Sequence, residues 1–285
     1  MKTVETTESS ASFPSIDEQA KRIQEAVKKK APKPNKVKTE AKAEKALKMI
    51  LAHNTETMLF CDQEGLEYIR YPSGGYIQTL RIRSQTFGEM VQHEFYETYR
   101  SVLGGQTLAD VKSALAGRAK MLAKVRPVWR RVALHQETPQ APREVWIDIT
   151  NSHWEAVRIT KQGWSKEQTV KPSFIRSKHD TPLPMPERHK EGAKAGMELF
   201  RKYCNLSDDD FLLLVAFLIG AWNPSGAYPL LQIHAQHGSG KTTVSGLIKR
   251  LIDPQKALIR SLPRDEESLM MNAQNSWLLC YDFST

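Results

Sequence analysis

Ala235-Gln-His-Gly-Ser-Gly-Lys-Thr242 is the stretch that decides how this chain is read. It fits Ala/Gly-x-x-x-x-Gly-Lys-Ser/Thr, the pattern of a loop whose backbone amides cradle phosphate oxygens. Gly238 and Gly240 let the chain adopt the positive-φ turns that such a nest needs. Lys241 would reach the β- and γ-phosphates, and Thr242 would offer its hydroxyl to Mg²⁺. The nucleotide-contacting set read from the pattern is Ala235, His237, Gly238, Ser239, Gly240, Lys241, Thr242 and Thr243. The loop opens on Ala235, a common relaxation of the usual Gly.

The flanking residues supply the required context. Pro229-Leu-Leu-Gln-Ile-His234 is a short apolar run that predicts a buried strand entering the loop. Val244, Leu247, Ile248, Leu251 and Ile252 recur at i, i+3, i+4, i+7 and i+8, one face of a helix leaving it, and Pro254 closes that helix. Further on, Trp277-Leu-Leu-Cys-Tyr-Asp282 predicts a strand buried on both faces that ends in a carboxylate. Open α/β sheets bind ligands at that end of their strands, so Asp282 is the second candidate Mg²⁺ ligand. Lys241 and Asp282 are the candidate catalytic pair, and Thr242 and Asp282 the candidate metal pair. Between the two motifs, Ala257–Arg260 reads as a middle strand and Asp265–Ala273 as a helix with acids in its first turn.

These features make ATP and Mg²⁺ the expected cofactors. They make a weaker case for turnover, because Phe283, Ser284 and Thr285 follow Asp282 where many such enzymes carry a second carboxylate. The chain stops at Thr285, 43 residues past Thr242, so it reads as the N-terminal part of a larger ATPase.

Composition sets the outer bounds. At 285 residues with 40% hydrophobic and 26% charged, the chain can bury one large or two modest cores. No apolar run is long enough for a membrane span, and Met1–Glu8 lacks the apolar stretch of a signal peptide, so a cytoplasmic location is expected. Cys61, Cys204 and Cys280 lie far apart, which argues against a disulfide framework or a zinc site. Of the net +9 charge, nearly all sits in residues 20–49, which hold eleven Lys or Arg against three Glu. Residues 1–48 therefore read as a basic flexible arm, either a solvated linker or a tether for nucleic-acid phosphates.

Residues 49–125 read as a small α+β accessory domain. Tyr68–Tyr71 and Tyr76–Ile82 flank the turn Pro72-Ser-Gly-Gly75, and helical patterns run over Phe87–Val102 and Leu108–Leu122. A winged-helix-like DNA reader and a plain accessory domain fit this equally. Residues 126–190 read as a β-rich region and linker, with short strands at Val128–Ala133, Val145–Ile149, Ala156–Ile159 and Phe174–Arg176. Trp129, Trp146, Trp154 and Trp164 fall there, as core residues or as stacking surfaces for unpaired bases. Residues 191–285 form the first half of a P-loop domain, cut after Asp282. Within it, Ser207-Asp-Asp-Asp210 caps Phe211–Trp222, a helix apolar nearly all round and so expected inside.

Several segments together resemble one family: Val145-Trp-Ile-Asp-Ile149, Trp154-Glu-Ala-Val-Arg-Ile-Thr160, Gly163-Trp164, Pro182-Leu-Pro184, Asp208-Asp-Asp-Phe211, the phosphate loop with Leu251-Ile-Asp-Pro254, Ser261-Leu-Pro-Arg264 and Asn275-Ser-Trp277. From about residue 55 onward the chain is similar to ATP-binding proteins of phages, prophages and genomic islands, often called primase-helicase or helicase ATPases and related to superfamily 3 and AAA+ enzymes. The resemblance implies an α/β fold: a partial, AAA+-like P-loop NTPase core behind a small α+β domain and a short β-rich region. It implies a replication motor of helicase type, with DNA as partner, a homo-oligomeric ring and no membrane. It carries Lys241, Thr242 and Asp282 over as nucleotide and Mg²⁺ residues. The family usually follows its strand-end Asp with Asn; Phe283 stands here. A P-loop small-molecule kinase and a nucleotide-switched DNA-binding module without turnover are the alternative readings.

Overall fold

The computed structural model describes residues 41–52, 58–188, 193–236 and 238–283. The arm up to residue 40 and His237 lie outside them. The chain is a mixed α/β structure with several helices and separate sheets, built from three successive packing units.

The first unit wraps helices around a three-stranded antiparallel sheet of β1 (Leu59–Cys61), β2 (Glu67–Ser73) and β3 (Tyr76–Arg81). The hairpin forms where the sequence predicts it. Gly74 and Gly75, at φ 59° and 89°, make its two-residue turn, and Ser73 pairs with Tyr76. Helix α1 (Lys42–Leu51) precedes the sheet, and α2 (Gln85–Tyr99) and α3 (Gly105–Met121) follow. Ser84 caps α2 by accepting from the Phe87 amide. Ile69, Tyr71, Leu80, Phe87, Phe95 and Leu115 fill the core between sheet and helices. The basic arm does not extend to residue 48 as a free segment, because Ala46 and Ile50 of α1 are fully buried in this core. A buried Ile contributes about 1.5–3 kcal/mol, enough to fold the end of a charged stretch into a helix.

The second unit is a four-stranded antiparallel meander of β5 (Val132–His135), β6 (Glu144–Asp148), β7 (Ala156–Thr160) and β8 (Gly163–Glu167). A two-stranded parallel pair stands beside it, β4 (Val128–Trp129) with β9 (Ser173–Phe174). The run expected as one strand over Val128–Ala133 breaks in two at Arg131, which sits at φ 60°. The turn at residues 161–163 opens β8, whose Trp164 pairs with Ile159. Trp146 alone of the four tryptophans is fully core. Trp129, Trp154 and Trp164 are half-buried.

The third unit holds α4 (Ala193–Cys204), α5 (Asp208–Ala221), α6 (Lys241–Ile252) and α7 (Glu266–Gln274), with a parallel pair β10 (Arg260–Ser261) and β11 (Tyr281–Asp282). Ser207 and Asp265 cap α5 and α7 by accepting from the amides of Asp210 and Ser268. Three expectations fail here. Pro229–His234 forms no strand: it pairs with no other segment among the described residues, and Leu230 is 94% exposed. An extended run becomes a strand only when its N–H and C=O groups find a ladder partner. Helix α5 forms as predicted but is not enclosed. Leu214, Phe217 and Ala221 pack inward, while Leu212 and Ile219 are 68% and 70% exposed. The strand expected over Trp277–Asp282 shrinks to its last two residues, paired only with β10.

Candidate functional site

The phosphate-loop run folds as a turn that feeds the first turn of α6. Gly238 and Gly240 take φ 80° and 85°, the left-handed conformations the sequence demands of them. Gly240 is the N-cap of α6, and no side chain caps the helix there. The amides of the first turn, from Lys241 to Thr243, are thus left for another acceptor, at the helix end that favours anions. Lys241 Nζ curls back over the loop and donates to the carbonyls of Ala235 (2.7 Å) and Gln236 (2.8 Å). That holds the ammonium above the turn formed by Gly238, Ser239 and Gly240, all exposed, as are Thr242 and Thr243.

Asp282 lies on the neighbouring segment. Lys249 Nζ donates to the Leu278 carbonyl at 2.6 Å, and the Cys280 thiol lies beside Ser245. Chain 278–280 therefore climbs α6 towards its N-terminus. Four helical residues from Lys249 to Ser245 cover about 6 Å, and two extended residues from Leu278 to Cys280 cover at most about 6.6 Å. Burial pushes the Cys280 thiol above its ordinary range.

What fixes this register is a buried polar cluster that the sequence reading missed. Lys249 and Asp253, 2% and 1% exposed, pair at 2.8 Å at the C-terminal end of α6. Asp253 Oδ2 also accepts from the amides of Trp277 (2.8 Å) and Leu278 (3.1 Å), which pins the start of the run leading to Asp282. Asp253 Oδ1 accepts from Arg131 Nε at 3.1 Å. Burial alone would raise the Asp253 carboxyl; the Lys249 ammonium, the Arg131 guanidinium and the amides outweigh it and hold it below the usual carboxylate range. Arg131 further donates to the Asp148 carbonyl and to Thr150 Oγ1, so one guanidinium joins the β-rich unit to the loop helix. Gln255 Nε2 extends the cluster to Asp180 Oδ1 and the Asn275 carbonyl. Only the i, i+4 spacing of Lys249 and Asp253 was visible beforehand, and that spacing is read by default as a solvated helix pair.

Of the sequence-predicted site residues, Ala235, Gly238, Ser239, Gly240, Lys241, Thr242 and Thr243 share one loop and helix start, and Asp282 ends β11, paired with Ser261 of β10. His237 lies outside the described residues.

Residues 197–284 match the family model described as "Actinomycete integrative conjugative element replication protein". The match covers less than a third of the chain, and it contains the loop, α6 and Asp282. That stretch is similar to replication proteins of mobile elements, in line with the mobile-element side of the resemblance. The printed description names neither a helicase nor a nucleotide. No curated protein and no solved structure matches the chain. No helix among the described residues is long and apolar enough to cross a membrane.

Proposed function

We propose that the chain is the nucleotide-binding part of a DNA replication protein of a mobile element, taking Mg-ATP at the loop of residues 235–243. The reading is supported by a helix start behind two left-handed glycines, an ammonium folded back onto the loop carbonyls, and a strand-end carboxylate on the segment that Lys249 holds against α6. In this reading the loop amides and Lys241 neutralise polyphosphate charge. Thr242 Oγ1 and the Asp282 carboxylate hold Mg²⁺. ATP, when bound, supplies the transferable phosphoryl group. DNA is the partner on the strength of the replication-protein similarity, and a homo-oligomeric ring motor is the fuller version of the same proposal.

A second reading keeps binding and drops turnover. It is favoured by Phe283, 71% exposed, standing directly after Asp282 where a carboxylate would be needed to activate water. Equilibrium binding of a fluorescent ATP analogue with and without Mg²⁺ tests the shared claim. Thr242→Ala and Asp282→Asn should abolish the gain that Mg²⁺ gives while leaving metal-free binding in place. Metal-dependent binding unchanged in both variants would reject the site. Phosphate release that rises on adding DNA supports the motor; binding without release supports the switch.

A further inference from the structure

We infer that the cleft between the α+β unit and the β-rich unit is a binding groove for single-stranded nucleic acid. The groove has a volume of about 1120 Å³, larger than the roughly 300–1,000 Å³ typical of small-molecule pockets. One wall is the hairpin: Tyr68 and Arg81 stand opposite each other in the β2–β3 ladder, and both line the groove. The other wall carries Trp129, Trp154, Arg176 and Lys178. A second hollow of about 420 Å³ shares Thr86, Ser177, Lys178 and Asn275 with the first and carries the trough on past the N-terminus of α2.

The lining chemistry selects the ligand. Trp129 and Trp154 are half-buried, so part of each indole faces the cleft, and an indole edge or face stacks on any base without reading its identity. Trp154 is held rigidly: it sits at φ 54°, and the Arg176 guanidinium lies 3.7 Å from its ring centroid. Arg176 is itself clamped by Asp148, at 2.9 and 2.6 Å, and Arg130 by Asp180 at 3.2 Å. Those two cations therefore shape the wall. Arg81 and Lys178 are exposed and able to meet phosphates. The carboxylates of the lining are Asp62 and Glu64 in the first hollow and Glu89 in the second. Asp62 is engaged in accepting from the amides of Glu64 and Leu66. Half-buried indoles beside the exposed cations Arg81 and Lys178 suit a few unpaired nucleotides.

The groove also touches the cluster behind the phosphate loop. Its floor residue Arg130 holds Asp180, Asp180 holds Gln255, and Gln255 binds the Asn275 carbonyl and, through Lys249, the segment that leads to Asp282. A strand lying in the groove would press on the same contacts that set the register of Asp282.

This inference rests on the replication reading only for its choice of nucleic acid as ligand. The test is fluorescence anisotropy of a short labelled oligo(dT) with the whole chain, across a salt series. The double variant Arg81→Glu/Lys178→Glu changes only exposed side chains. It should weaken binding about tenfold or more and flatten the salt slope by about 1.4, at about 0.7 per phosphate contact on a single strand. Trp154→Ala should weaken binding about fivefold to a hundredfold, the range of one lost base stack, and Trp154→Phe should restore most of it. Oligo(rU) should behave like oligo(dT), and duplex DNA should bind more weakly. Unchanged affinity and slope in the double variant, with wild type binding DNA, would overturn the groove and leave the replication reading standing. Equal loss on duplex and single strand would overturn the stacking claim. Failure of wild type to bind any DNA would sink both.

Discussion

Asp253→Ala is the substitution through which the account is most exposed. The carboxylate is 1% exposed and is met by one ammonium, one guanidinium and two amides. Removing it strands Lys249 and Arg131, each 2% exposed, with no carboxylate opposite either of them at that point. Breaking a buried pair from one side costs about 3–5 kcal/mol, because the remaining charge has lost both its water and its partner. The two orphaned amides add about 1 kcal/mol or more each. Part of this is recovered, since Lys249 keeps Gln255 and the Leu278 carbonyl, and Arg131 keeps Thr150 and the Asp148 carbonyl. About 4 kcal/mol of destabilisation remains as the expected net. Urea unfolding followed by tryptophan fluorescence reads it, with Trp277 next to the lesion as reporter. Asp253→Asn keeps an acceptor for the amides and should cost less than Asp253→Ala. A loss under about 1 kcal/mol for the alanine variant would mean that this cluster does not hold the loop helix against the segment bearing Asp282.

Other outcomes follow from single features. The depressed Asp253 carboxyl contributes stability that is fully present above its unfolded pKa, about 3.9, and is lost as pH falls through the folded value below that, so acid unfolding should begin near pH 4 in wild type and show a shallower pH dependence in Asp253→Asn. Gly240→Ala meets no neighbour within 4 Å but keeps φ at +85°, so it should cost about 1–2 kcal/mol in backbone strain and weaken nucleotide binding, measured by thermal melts with and without Mg-ATP. Ser207→Ala removes the cap of α5 and should cost about 1 kcal/mol by urea titration. Burial raises the thiols of Cys61, Cys204 and Cys280, so iodoacetamide near neutral pH should label all three slowly until the chain is unfolded, as mass spectrometry can follow.

Local chemistry was legible in the sequence wherever it acts alone. The two glycines of the hairpin turn, the Ser207 cap and the apolar face of α6 each impose their structure within a few residues, and each formed. Burial and pairing were not legible, since they depend on what arrives from elsewhere. The all-apolar pattern of α5 fixes a helix but cannot say that Leu212 and Ile219 stay uncovered. The β-like run Pro229–His234 needs a ladder partner that no described segment provides. Arg131 meets Asp253 across 122 residues of chain, so the cluster that sets the candidate site was hidden although each of its members was in plain view. The loop run Gly238–Thr243 stood out because its spacing is itself a phosphate-binding pattern. That the segment ending in Asp282 is held against α6 became visible only through Lys249 and Asp253.

The most direct measurement is isothermal titration of Mg-ATP into the wild-type chain and into Lys241→Ala. Among the described residues, Lys241 Nζ is held by two loop carbonyls, so the variant should stay folded. Saturable single-site heat for wild type that disappears in the variant is the expected result. Absence of heat from a folded wild type, or equal affinity in the two proteins, would contradict the central claim.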